Sequence, residues 1–587
     1  MSNQLEALKR TAPVIKVNGA PLSIALSDRL TYARVELGLG VIGRVTLRFV
    51  DTDHAIATGS DFGLGHKVEV EIAQTKIVEA YVTGATISQQ RGSLPEFVVT
   101  ADDAAYKLTR AITPAAYDDM TYSDVLIKLA GDAGVQISAE ATSEPHPYQF
   151  VSGTALSYLE AVTRRIGQVW WIDPNGKLVT KGVDSISDVV STAVDDLGSL
   201  SIRESALHST NVHAIGWDPA TKQPVDASAL GERNGVFEEG PMGHYSNASA
   251  LSSADAKLSG LNPISRSEAE TVSHALLTEV IDSTRVLRGE TEADETYAPG
   301  KKLRIINSNA FSGEFLLSSV EHIYRPGEDF LTRFVAGPHR PTGLVDTLGN
   351  APHDPGLNHT QLIPAIVTNC DDPDKLGRIK VKYIGVPGSV QSGWARMATV
   401  GAGLNRGIVF LPEINDEVII GFEGGDIRRP VVLGGLYNGK DTPPPEPLKQ
   451  AQGETNVRRL VGKQGNFIEF GDGTGDTENH VKLAMKGSSE LRIGKDQTTL
   501  DTKGKPLKIT VGSAVVEIDD KGNVKISGDT ISLKATKDLT LEGLNVTVKA
   551  TQKIAVSGNI GEVKAMGQLN LEATGQASLK GAMVMIN

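Results

Sequence analysis

From roughly Glu454 to Asn587 the chain is a series of short alternating strands. They read Ile531-Ser-Leu533-Lys-Ala535, Leu539-Thr-Leu541, Val546-Thr-Val548-Lys-Ala550, Ile554-Ala-Val556, Leu569-Asn-Leu571-Glu-Ala573 and Ala577-Ser-Leu579. Each begins about eight residues, or once about twice that, after the last, with Gly, Asn or Lys-Asp at the breaks, and a fixed short strand period is the mark of a β-solenoid. Alternation gives each strand one apolar face. No helical segment is present in this stretch to cover those faces. The strands must stack on themselves or on copies from other chains, and either route yields a stiff rod. The other face, with Lys525, Lys534, Glu542, Thr547, Lys549, Glu572 and Lys580, reads as a solvated exterior.

The rest of the chain is too long for a single core, and three or four domains are expected over 587 residues. Sixty-one glycines fit many turns between short strands. A net charge of -13 argues against a nucleic-acid-binding surface. One cysteine, Cys370, excludes an intrachain disulfide and any cysteine-based zinc site. The N-terminus has no signal-peptide core, and no apolar run of about eighteen residues is present to span a membrane.

Residues 13–100 are strand-like. Arg44-Val-Thr-Leu-Arg-Phe-Val50 and Lys67-Val-Glu-Val-Glu-Ile72 alternate cleanly, and Asn18-Gly19 is a hairpin-type turn. A helical insert follows, at about 120–170. Ser123 is expected to cap a helix over Asp124–Ala130, and Thr154 a second over Ala155–Arg165. Strands are expected at 169–172 and 177–180, and a longer helix from Ser267 to Leu287 with Glu268 and Glu270 in its first turn. Strands resume at 302–305 and 314–320, and 346–360 reads as a linker. A compact β-domain with strands at 363–367, 377–382, 407–410, 416–421 and 430–433 suits a small closed barrel of OB type. Pro443-Pro-Pro-Glu-Pro447 is a stiff extended connection to the rod.

Chemical motifs are weak. The carboxylate pairs Asp102-Asp103, Asp118-Asp119, Asp371-Asp372 and Asp519-Asp520 sit beside turns, and neighbours in a strand point to opposite faces, the wrong geometry for flanking one bond. Gly471-Asp-Gly-Thr-Gly-Asp476 lacks the twelfth-position glutamate of a calcium loop and reads as a hairpin turn. His353 and His359 fall in the linker, with no helix to set metal-ligand spacing. No Gly-x-Ser-x-Gly elbow appears. Gly401–Gly407 lacks the Lys-Ser/Thr of a phosphate loop. Trp170, Trp171, Trp217 and Trp394 read as anchors of barrel cores.

The barrel segment carries a recognisable string. Asp374-Lys-Leu-Gly-Arg-Ile-Lys-Val381, Trp394-Ala-Arg396, Gly407-Ile-Val-Phe-Leu-Pro412, Asn415-Asp-Glu-Val418, Phe422-Glu-Gly-Gly-Asp426 and Arg429-Pro-Val-Val-Leu-Gly-Gly-Leu-Tyr-Asn438 occur in that order. Together they resemble the OB segment of VgrG and phage baseplate spike proteins. Upstream, Gly216–Gln223, Tyr297-Ala-Pro-Gly300, Ser312-Gly313 and Glu321-His-Ile-Tyr324 are similar to the hub of that family. Downstream, Gly465-Asn-Phe-Ile-Glu-Phe470 resembles its entry into the β-helix.

The resemblance implies a mainly β fold in four parts. These are a hub of paired β-barrels with a small α/β insert (1–345), a linker (346–360), an OB barrel (361–445) and an intertwined trimeric triple-stranded β-helix (446–587). It implies a structural spike and hub that matches a six-fold tail tube to a three-fold, membrane-puncturing spike. The implied partners are two further copies, a PAAR-type tip protein at the C-terminal end, tube and baseplate proteins at the hub, and effector cargo as an optional passenger. The target membrane is met mechanically, and no nucleic acid, cofactor, metal or catalytic residue is expected. Assembly is expected in the bacterial cytoplasm without a signal peptide, as part of a contractile particle that some systems release. The sequence as read stops at Asn587 without an enzymatic extension, which leans the resemblance towards extracellular, phage-tail-like systems.

The residues singled out are structural: Gly377, Arg378, Gly407, Pro412, Glu417, Gly421, Asp426, Pro430 and Gly434 in the barrel, and Met583, Val584, Met585 and Ile586 as a tip-docking face. The competing readings are a tail-borne β-solenoid that degrades polysaccharide and a receptor-binding fibre. Against the first, no Trp, Tyr or Phe lies between Asp501 and Asn587 to stack on sugars. Against the second, no residues remain to build a globular head.

Overall fold

The computed structural model describes residues 12–110, 114–204, 211–219, 221–230, 255–259, 261–307, 313–338, 362–386, 390–445, 455–473 and 478–586. The linker at 346–360, with His353 and His359, and positions 474–476 of the glycine-aspartate loop lie outside them, as do Ala220 and Ser312 of the hub motifs. The fold is mainly β and falls into two units, Met1–Thr442 and Pro443–Asn587.

The first unit is organised by a thirteen-stranded sheet. Its central strand, Glu314–Tyr324, pairs antiparallel with Leu30–Gly38, so the two ends of the hub sequence meet in one ladder. Two apolar cores form against this sheet. One gathers Val45, Leu47, Phe49, Val70 and Val99, the other Leu287, Leu303, Leu317 and Phe334. Clean alternation in Arg44–Val50 and Lys67–Ile72 puts every second side chain into the first core. The motif Tyr297-Ala-Pro-Gly300 has a steric cause. Gly300 adopts φ +79°, and a Cβ there would lie 2.4 Å from the Trp171 indole.

The insert forms its own small core from two helices and two short sheets. Its first helix is Tyr122–Asp132, capped by Thr121 and not by Ser123. Thr121 and Asp124 form a reciprocal capping box, which outcompetes a serine already inside the turn. Thr154 caps Ala155–Arg165. The long helix runs Arg266–Thr284 with Ser265 as its cap, and Leu287 belongs to the following strand, Arg285–Glu292. Trp170 is buried, but Trp217 is exposed and anchors no core.

The barrel sheet has the strands Ile363–Asn369, Lys380–Tyr383, Arg396–Met397, Glu417–Phe422 and Pro430–Gly435. The strand expected at 407–410 does not form. Only Arg406–Gly407 pairs, with Ala402–Gly403, in a small hairpin, and Ile408–Leu411 face solvent.

The second unit begins as a five-stranded and then a three-stranded antiparallel meander, over Val457–Asp501 and Leu507–Ser527. Beyond it, the strands expected from Ile531 to Leu579 have no ladder partner among the described residues. Bends recur instead at 536–537, 544, 551–552, 559–560, 566–567, 574–575 and 582. The spacing of the bends reproduces the period read from the sequence.

Candidate functional site

Two features of the molecule bear on assembly: a buried junction inside the first unit, and an uncovered apolar tail in the second.

The junction joins insert, long helix and barrel. The insert strand Gln149–Val151 pairs with Ala115–Tyr117. It sends Tyr148 and Phe150 into the barrel core, beside Ala365, Val381, Tyr383 and Val418. The Tyr148 hydroxyl donates to the Gln391 carbonyl at 2.9 Å, and the Phe150 ring lies 6.3 Å from that of Tyr383. Gly393 lies against Tyr148, and a Cβ there would come within 3.2 Å of its side chain.

Next to this contact lies a buried charge network. Glu268 sits in the first turn of the long helix, where its carboxylate meets the helix N-terminus. Its Oε1 accepts from Arg165 Nε at 2.8 Å, Arg428 Nη1 at 3.0 Å and the Tyr122 hydroxyl at 3.2 Å. Its Oε2 accepts from the Ile264 amide at 2.7 Å. Arg428 in turn donates from Nη2 to Asp426 at 2.8 Å and from Nη1 to the Tyr122 hydroxyl at 3.0 Å. Two cations thus face two anions, all four side chains nearly inaccessible to solvent. Burial opposes the charge on Glu268, but the Arg428 and Arg165 guanidiniums outweigh it and hold the carboxyl well below the usual range. Burial also lowers His146, whose ring packs 4.0 Å from that of Tyr122. Arg428 comes from the barrel, Glu268 from the hub helix and Arg165 from the insert, so the network fixes three elements at one point. At its edge Asn262 donates to the Gly424 carbonyl at 3.2 Å and Arg429 to the Trp217 carbonyl at 2.6 Å.

The barrel residues singled out from sequence have definite local roles. Arg378 grips Asp372 through Nε at 3.0 Å and Nη2 at 2.6 Å and reaches Asp374 at 2.5 Å. Those bonds hold Asp372 well below the usual carboxylate range. Gly377 turns at φ +73° just before it. Gly407 adopts φ +141°, with the Gly401 carbonyl 2.3 Å from where a Cβ would stand. The Pro412 carbonyl accepts from the Cys370 thiol at 3.3 Å. Glu417 accepts from Asn438 at 2.8 Å. Gly421 lies under Leu362 and Leu433. Asp426 belongs to the charge network, Pro430 is buried in the sheet, and Gly434 has open space about it. The carboxylate pairs are also used locally. Asp102 pairs with Arg44 at 2.8 Å, and Asp103 accepts from the amides of Gly43 at 2.6 Å and Ala105 at 2.9 Å. Asp519 accepts from the Lys521 and Asn523 amides.

In the tail the whole apolar series is open. Val546, Val548, Leu569, Leu571 and Leu579 are exposed, and Val556 is 94% exposed. Met583, Val584, Met585 and Ile586 are exposed as well.

The first unit thus joins an OB-type barrel to a β hub, and the second carries an uncovered strand series. Residues 363–437 match the type VI secretion system and phage-baseplate injector OB domain, and residues 14–325 match the Alg8 N-terminal domain. The spike protein VgrG1c of Pseudomonas aeruginosa is 32% identical over 126 residues, 20% of this chain and 16% of that protein. VgrG1a of the same species is 27% identical over 215 residues, 28% of this chain and 33% of the relative. The actin cross-linking toxin VgrG1 of Vibrio cholerae is 28% identical over 168 residues, 26% of this chain and 15% of the toxin. The matched stretches therefore span a third or less of these relatives' length. Among solved structures, an Escherichia coli type VI secretion component described as similar to the T4 tail proteins gp27 and gp5 aligns at TM-score 0.48 and 13% identity, over 72% of this chain and 99% of that one. A Francisella PdpA–VgrG complex aligns at 0.49 and 9%, over 85% and 91%. Through residues 14–325 the chain belongs to the Alg8 N-terminal domain family, and its barrel and neighbouring stretches are similar to VgrG-like baseplate spike proteins.

Proposed function

We propose that three copies of this chain form the central spike of a contractile injection machine, with the hub meeting the tail tube and the tail series wound into a triple-stranded β-helix. The observation that carries this reading is the tail. Between Ile531 and Ile586 the apolar side chains keep their period and the bends keep theirs, yet the chain does not cover its own apolar face. A single chain leaves that surface in water at about 25 cal/mol per Å². Three chains wound together would cover it and leave no free strand edge along the shaft. The role is mechanical: contraction drives the tube, and the rod concentrates force on a small tip. At that tip three copies of Met583–Ile586 would form an apolar platform for a conical PAAR-type protein. Effector cargo, release of the particle outside the cell and assembly in the cytoplasm belong to the same proposal.

Negative-stain microscopy of the purified full-length chain tests it. Class averages with three-fold symmetry and a needle are expected, and single-chain particles would contradict it. For the tip, Met585→Asp combined with Ile586→Asp should abolish capture of a PAAR-type protein while leaving the needle intact. Undiminished capture would reject this docking face.

A further inference from the structure

One buried titratable side chain, His146, stands beside the charge network without a hydrogen bond to it. It is 3% exposed, and its Nδ1 has no partner among the described residues. Titratable and charged groups face the ring from every element packed around it. They are Tyr122 from the first insert helix, Arg165 from the second, Glu268 from the long helix, Arg428 from the barrel and Glu144 from its own segment. Glu144 accepts from the Ser265 hydroxyl at 3.0 Å, which ties that segment to the start of the long helix.

The residues that follow His146 are the ones that enter the barrel. Tyr148 and Phe150 lie in the barrel core, two and four positions further on. Little else holds this stretch to the insert beyond its short ladder with Ala115–Tyr117. The His146 amide donates to the Met120 carbonyl at 2.9 Å, and Gln149 Nε2 donates to the same carbonyl at 2.6 Å. The ring that meets the charge network and the side chains that plug the barrel are therefore on one short piece of backbone.

We propose that residues 146–151 form an acid-released latch: a proton on His146 drives the segment away from the charge network and draws Tyr148 and Phe150 out of the barrel core, loosening the barrel from the hub. The latch lies within one chain and does not depend on the three-copy reading. A neutral ring leaves one nitrogen without a partner, whereas a protonated ring carries a buried charge and an Nδ1–H with no acceptor. The two carboxylates and the two guanidiniums around the ring act in opposite directions, and burial, the largest influence, lowers His146 from its ordinary value near 6.5. A lowered folded value means that the neutral ring's contribution is full above about 6.5 and is lost as pH falls below it. Glu268 is held ionised by Arg428 and Arg165, so the network's own anchor persists while His146 titrates. The joint becomes a hinge whose stiffness follows the surrounding pH.

The test is hydrogen exchange of the full-length protein at about pH 7.5 and about pH 5.5, with rates corrected for the intrinsic exchange at each pH. Protection is expected to fall severalfold, and at most about tenfold per pH unit for one proton, in Gln149–Val151 and in the barrel strands Lys380–Tyr383 and Glu417–Phe422. Protection of Arg44–Val50 in the hub should not fall with it. His146→Phe keeps a ring against Tyr122 and removes the proton site, and should hold the same protection at both pH values. His146→Gln makes the same comparison if the Phe variant does not fold. Wild-type protection that is equal at the two pH values overturns the latch. So does a fall that persists in the His146 variants, or one that extends equally through the hub strand, which would assign the response to another group such as the buried His322.

Discussion

The barrel and the tail are both built from alternating strands, yet they solve the same problem differently. In the barrel, Ala365, Val381, Val418, Ile420 and Val432 are fully shielded within one chain, and the insert contributes Phe150 to finish the core. In the tail, Val546, Val548, Leu569 and Leu571 have the same pattern and no cover. On the proposed three-copy reading, the difference lies in where the partner strand comes from. A sheet that curls back through short turns can close on itself. A chain that bends every seven or eight residues without a ladder of its own has strands to offer and none to receive.

The sharpest way to break this comparison is to place the same charge in both regions. Val418→Asp should unfold the barrel in any oligomeric state. Val548→Asp should be harmless in a lone chain, where the site is exposed, and should abolish trimerisation if three copies bury it on one axis. A stable trimer of Val548→Asp, seen by light scattering, would sink the intertwined tail.

Smaller effects are expected at the junction. Arg428→Ala leaves Glu268 and Asp426 with one cation between them, at a cost of about 3–5 kcal/mol. Hydrogen exchange should rise together in the long helix and the barrel strand after Asp426. Exchange confined to the barrel would show that the network does not couple the two. Phe150→Ala removes an insert side chain from the barrel core and should cost roughly 3–5 kcal/mol, read as earlier barrel unfolding in denaturant with the insert intact.

The smallest expected effect is pH dependence. Burial pushes Asp103 up to about 7. A raised folded value means its contribution is full below the unfolded value near 4 and is lost as pH rises through about 7. Glu268, with a depressed value, acts oppositely: its contribution is present above about 4.3 and fades only as pH falls through its lower folded value. Asp103→Asn should therefore flatten the decline of hub stability between pH 5 and 8 without changing the acid limb. An unchanged slope in a thermal melt would exclude Asp103 as its source.

Much of this fold was legible where local pattern and packing agree. Thr154, the strands Arg44–Val50 and Lys67–Ile72, and the eight-residue rhythm of the tail all announce themselves in the sequence. The junction was not. Glu268 reads as an ordinary first-turn carboxylate, because nothing local shows that Arg165 and Arg428, 103 and 160 residues away, close over it. Tyr148 and Phe150 sit in the insert's sequence but in the barrel's core. Ile408–Leu411 misled for the opposite reason: an apolar run looks like a buried strand, and here it belongs to an exposed arm. A signal was present in Gly401, Gly403 and Gly407, whose spacing suits a hairpin better than a strand.

The most direct measurement is the solution mass of the full-length chain by light scattering. Three chains of 62.3 kDa, about 187 kDa, are the expected result and would mean that the tail's apolar face is covered by its own copies. A stable particle of 62.3 kDa would contradict the account at its centre, because a lone chain would then be holding that face in water.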